Sequence, residues 1–123
     1  MRLDTATFES LVAQAIDNLP EWVHAHMDNV AVMLEQTPTA QQLRAGGVPA
    51  GNDLLGLYEG VPITERGRRY QLVTPDRITL FQRPLEDHAD SEIALVRLVR
   101  HTIIHEIAHH FGFSEQHLHE LGC

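Results

Sequence analysis

Two histidines and a glutamate, His105, Glu106 and His109, stand in the pattern H-E-x-x-H in the last fifth of this chain. Four residues advance about 400° around a helix, so His105 and His109 project from one face about one turn apart. Imidazoles placed in this way converge on one metal ion, and zinc suits that donor type. Glu106 is turned about 100° from His105, so it flanks the ion without pointing at it. A carboxylate there can take a proton from a water that zinc has brought to a pKa of about 7. The chemistry implied is metal-assisted hydrolysis. An otherwise apolar helix carrying two histidines and a glutamate would be costly to bury without such a partner.

The pattern extends to H-E-x-x-H-x-x-G-x-x-E, ending at Glu115. Gly112 allows the chain to leave the helix in a left-handed conformation, so that the next residues swing back toward the metal. Glu115 is therefore the preferred third ligand. His117, His119 and Glu120 are the other candidates, His119 first among them. His117 and His119 are about 200° apart on a helix, so at most one of them faces the site. Metzincin-type zinc peptidases use the extended spacing with His or Asp in third place; Glu115 departs from that choice.

Three segments carry a wider resemblance. They are Leu54-Leu55-Gly56-Leu57-Tyr58-Glu59-Gly60-Val61-Pro62, then Pro75-Asp76-Arg77-Ile78-Thr79-Leu80-Phe81, then His105 through Gly112 with Leu121-Gly122. In these the chain resembles the mini-zincins, a small bacterial family of metallopeptidase-like proteins. The resemblance implies a minimal zincin fold, with a backing helix, a small mixed sheet and a metal-binding helix. It also implies a zinc-dependent peptidase.

Seven of the nine histidines lie between His88 and His119. His110 reads as a surface residue or a neighbour of the ligands, His101 as a packing or surface residue, and His24, His26 and His88 as solvated. Tyr58 and Tyr70 are weighed as oxyanion donors against packing, and packing is preferred. The arginines Arg66, Arg68 and Arg69 read as an exposed loop, with a substrate carboxylate as their alternative partner.

The elements that must position this site follow from periodicity. An amphipathic helix is expected at 5–19, with Phe8, Leu11, Val12, Ala15, Ile16 and Leu19 on one face. Asp4 or Thr5 caps it and Pro20 ends it. The continuous apolar run at 29–35 reads as an inner strand. Thr39 caps a turn or two of helix before Gly46-Gly47. Strands follow at 54–59 and 77–82, the first with Gly56 inside it, which marks an edge or a close backbone approach. A short strand is expected at 70–73, and Pro84 closes the strand at 77–82. A mostly buried helix spans 91–111, capped by Asp90 or Ser91, and a last helix spans 114–121.

The chain has 123 residues and a formal net charge of −8, with nine arginines and no lysine. One α+β domain over 1–123 is expected, with two major helices on a sheet of three or four strands. Acidity with scattered Arg argues against nucleic acid and anionic membranes as partners. Cys123 is the only cysteine, so no internal disulfide forms and a reducing cytoplasm is the expected compartment. Asp4, Glu9 and Asp17 argue against a signal peptide at 1–20, and no apolar run is long enough to span a membrane. The expected function is a zinc metallopeptidase acting on a peptide or protein, with His105, His109 and Glu115 as ligands and Glu106 as base. The alternatives are a zinc hydrolase of a non-peptide amide and a non-catalytic zinc or peptide-binding module.

Overall fold

The computed structural model describes residues 1–49, 52–60 and 75–121. The expected strand at 70–73, the loop bearing Arg66, Arg68 and Arg69, Tyr70, Gly122 and Cys123 lie outside the described residues.

Helix α1, Thr5–Asp17, starts where the Asp4 carboxylate accepts from the Thr7 N–H at 2.8 Å. Its stripe of Phe8, Leu11, Val12 and Ala15 is buried. Pro20 opens a second, one-turn helix, α2, Glu21–Ala25. Strand β1, Val30–Glu35, leads to α3, Ala40–Ala45, where Thr39 and Gln42 cap one another reciprocally. Then come β2, Gly56–Glu59, and β3, Asp76–Phe81. Three helices complete the described chain: α4, Gln82–Asp87; α5, Glu92–His110; and α6, Glu115–Glu120.

The fold is α+β, and its small sheet is mixed. The strand order is β1-β3-β2, with β3 parallel to β1 and antiparallel to β2. As the central strand, β3 is buried from Ile78 to Phe81. Among the described residues, the expected inner strand at 29–35 is instead an edge of this sheet. No residue of β1 is fully buried, and Met33 is 47% exposed. An apolar run reports affinity for a core but not the order of neighbours.

Side chains alternate across the sheet. Gly56 and Tyr58 share a face with their register partners Leu80 and Ile78, and α5 packs on that face. Leu57 and Phe81 face the other way, where they meet Leu43 and Val48. Helix α5 packs against α1 as well as against β2 and β3. Partners on several sides explain why Leu95, Val99, Ile103, Ile104 and Ile107 are all buried around its circumference.

Pro84 does not close β3. The strand ends at Phe81, and Pro84 sits in the first turn of α4, where its missing N–H has no intrahelical partner. This short helix carries Glu86, which is 1% exposed. The Glu86 carboxylate accepts from the Leu3 N–H at 3.0 Å, Gln82 Nε2 at 2.9 Å and Arg2 Nη1 at 3.3 Å. The same Gln82 nitrogen donates to the Leu3 carbonyl at 2.9 Å. The start of the chain is thereby tied to the end of the sheet.

Candidate metal centre

The site is built at the end of α5. Ser91 Oγ accepts from the Ala94 N–H at its start, and Gly112 turns the chain at its end with φ 78°. There the Phe113 N–H donates to the Ala108 carbonyl at 2.7 Å, and the Gly112 N–H to the His109 carbonyl at 3.2 Å. This pair of bonds is a Schellman closure, which requires a left-handed residue and so favours glycine. Ser114 then caps α6 by accepting from the His117 N–H at 3.0 Å. The Phe113 ring stacks on Trp22 at 5.0 Å on one side and on His117 at 4.7 Å. The returning segment is thus held by aromatic contact with α2.

This return brings Glu115 back to α5. Its Oε1 lies 3.6 Å from His109 Nε2 and 4.0 Å from His105 Nδ1. The ligand atoms of His105, His109 and Glu115 all lie within 4.8 Å of one another. Donors of a tetrahedral zinc site with bonds near 2.1 Å stand about 3.4 Å apart, so small side-chain adjustments suffice. Two imidazoles and a carboxylate also form a donor set that zinc accepts. Among the described residues, His117, His119 and Glu120 do not join this group. His117 spends its ring face on Phe113, and Glu120 accepts from Gln116 Nε2 at 3.4 Å.

Glu106 is turned toward the sheet. Its Oε1 accepts from the main-chain N–H of Tyr58 at 2.8 Å, and no other described donor reaches the carboxylate. Burial raises the Glu106 pKa above the ordinary carboxylate value, while the Tyr58 N–H and the charge of His109 oppose that rise. Burial lowers the His105 pKa, and His101 pushes it the same way; Glu115 opposes and His109 adds to the lowering. A neutral His105 is the form that can ligate a metal.

Two recesses meet at Glu106. One of about 290 Å³ is lined by Ala45, Gly46, Leu57, Tyr58, His109 and His110. The other, about 230 Å³, is lined by Leu54, Leu55, Gly56, His101, Thr102 and His105. A larger recess of about 370 Å³ lies between α1 and the first half of α5 and includes none of the four candidate residues. Donor chemistry, rather than volume, marks the site.

The remaining candidates fall as follows. His101 is exposed, with its ring 4.2 Å from that of His105. His88 is exposed and pairs with Asp53 at 3.0 Å, and His24 is exposed. His26 is not simply solvated: its ring packs against Phe111 at 4.8 Å, and its Nδ1 meets the Trp22 carbonyl at 2.7 Å. The Tyr58 hydroxyl donates to Asp76 Oδ2 at 2.7 Å, and its ring stacks on His110 at 3.8 Å. Sequence reasoning missed Asp76 and the main-chain role of Tyr58. Gly56 was the available signal. A Cβ at Gly56 would stand 2.7 Å from Thr102 Cγ2, so glycine lets β2 approach α5 closely enough for Tyr58 to reach Glu106.

A helix bearing H-E-x-x-H, laid on a small mixed sheet whose edge strand meets the glutamate, is a zincin-like arrangement. The family model of zincin-like metallopeptidases matches residues 27–123, and the chain belongs to that family. It is similar in fold to a solved structure described as a conserved hypothetical protein from Thermo thermophilus. The two share 22% identity over 89% of this chain and 94% of that chain, with a TM-score of 0.56. No curated protein matches the chain. Among the described residues, no helix is long and apolar enough to cross a membrane.

Proposed function

We propose that this protein is a zinc-dependent metallopeptidase, with residues 1–123 forming one domain that works in a reducing cytoplasm. His105, His109 and Glu115 would hold the ion. The observation that carries this reading is the convergence of their three ligand atoms within 4.8 Å beside a glutamate already oriented by the sheet. When bound, zinc supplies Lewis acidity, lowering the pKa of a water to about 7 and polarising a carbonyl. Glu106 accepts the proton from the attacking water and passes it to the leaving amine. Its partly buried setting, with a raised pKa, favours uptake of the proton from the water.

The edge of β2 gives a peptide a place to lie. The Phe81 N–H donates to the Leu55 carbonyl at 3.0 Å, so residues 55, 57 and 59 address β3. The main-chain groups of Gly56 then face away from β3, and an extended substrate can pair with them. The two recesses on either side of Glu106 would take the side chains flanking the scissile bond.

An open cleft favours a peptide over a small amide bound in a closed pocket. His109 and Glu115 have side chains 61% and 73% exposed. A structural zinc site closes with four protein ligands, and the group among the described residues has three. The test is cleavage of a diverse peptide library by the zinc-loaded protein, with Glu106→Gln as control. Discrete cuts that vanish in the control support the peptidase; a library left intact by the parent contradicts it.

A further inference from the structure

Helix α5 presents two adjacent stripes to its surroundings. His105 and His109, four residues apart, face the returning Glu115. Glu106 and His110, also four residues apart, both hold Tyr58. Glu106 takes the main-chain N–H of Tyr58 at 2.8 Å, and the His110 ring lies nearly parallel to the tyrosine ring at 3.8 Å and 21°. From the other side, Asp76 at the start of β3 accepts the Tyr58 hydroxyl at 2.7 Å. Asp76 Oδ2 is also 4.0 Å from His110 Nε2. Among the described residues, contacts therefore hold Tyr58 at its backbone, its ring face and its hydroxyl.

We propose that Tyr58 is a positioning residue for Glu106, and that Asp76 holds it in that role through the tyrosine hydroxyl. The proposal rests on the reading of Glu106 as the base. A glutamate side chain has three rotatable bonds, and an exposed one samples many rotamers. Here one carboxylate oxygen is engaged by a main-chain donor, which leaves the second oxygen as the proton acceptor in a set orientation. Among the described residues the donor is carried on an edge strand of four residues, and short edge strands are prone to fraying. Asp76 lies on the central strand, and the buried residues Ile78 to Phe81 anchor that strand. The hydroxyl bond thus ties the edge strand to the first residue of the central strand. Misplacement of a catalytic group by about 1 Å can cost as much as 10²-fold in rate, so such a tie affects turnover.

The experiment compares the parent with Tyr58→Phe, Asp76→Ala and Asp76→Asn, each purified with zinc. Amide hydrogen exchange at residue 58 is followed by NMR, with the Val12 amide in α1 as a control for the fold. Exchange at residue 58 is expected to accelerate about tenfold in Tyr58→Phe and Asp76→Ala. Asp76→Asn keeps an acceptor oxygen and should restore slow exchange. On a cleaved peptide, the first two variants should lower kcat roughly tenfold while leaving KM nearly unchanged. Unchanged exchange at residue 58 in both of them overturns the proposal, and so does a loss confined to KM. The exchange measurement needs no substrate. An inert parent would contradict the peptidase, whereas accelerated exchange would still support the clamp.

Discussion

Gly56 of β2 and Thr102 of α5 touch so closely that a single added carbon would not fit. A Cβ on Gly56 would lie 2.7 Å from Thr102 Cγ2. Thr102 stands one helical turn before Glu106, so this contact sets the spacing between the edge strand and the base it orients. Gly56→Ala should destabilise the protein by about 1–3 kcal/mol, as overpacking does in a filled core. Thr102→Ser removes Cγ2 and keeps the hydroxyl that donates to the Leu98 carbonyl at 2.8 Å. Adding it to Gly56→Ala should recover part of the loss in a urea double-mutant cycle. Full stability of Gly56→Ala alone would show that the contact is slack.

Glu86 should behave as a structural carboxylate remote from the metal. Truncation to Ala removes the shared acceptor of three donors and strands the Leu3 N–H. A loss of about 2–4 kcal/mol is expected on chemical denaturation, with zinc content unchanged. A zinc-poor but stable Glu86→Ala variant would contradict this placement.

The fold and the metal motif were legible to different depths. Ser91, Gly112 and the i,i+4 histidines act locally, so their signals survive in the linear sequence. Thr39 with Gln42 is similarly local, and the helix it starts was expected. Pro84 misled because a proline ending a strand and one in the first turn of a helix look alike. Glu86 sits in a charged run, and two of its three donors come from residues more than eighty positions away. β1 went to an edge because its apolarity carries no record of strand order. The Tyr58 contact is a main-chain bond, to which no side-chain type points. His26 was hidden because its neighbours, Phe111 and Phe113, come from the far end of the chain.

Glu106→Gln should be at least as stable as the parent at neutral pH when both are free of metal. Burial raises the Glu106 pKa in the folded state, so its ionisation favours the unfolded chain. The stability contributed by the protonated carboxyl is present below its unfolded pKa. It is lost as pH rises through the higher folded value. The amide escapes that loss, and its carbonyl can still accept from the Tyr58 N–H. Melting temperatures measured from pH 3 to 8 should therefore diverge in favour of Gln as pH rises. A parent that gains on the variant with rising pH would reverse the sign.

The third ligand separates three variants at one pH. Outer partners of a zinc site are typically worth 10–100-fold in affinity, so removal of a direct ligand should cost on the order of 10²-fold or more. That loss is expected for Glu115→Ala, and His117→Ala and His119→Ala should stay near the parent. A competition titration with a chromogenic chelator reads all three. Weak binding in His119→Ala with tight binding in Glu115→Ala would reassign the ligand.

Zinc stoichiometry tests the metal centre most directly. Elemental analysis of protein purified without chelator should find about one zinc per chain, and little in the His105→Ala, His109→Ala double variant. The double variant should keep its far-ultraviolet circular dichroism, because both side chains are partly exposed at the end of α5. Undiminished zinc in that folded variant would contradict the account.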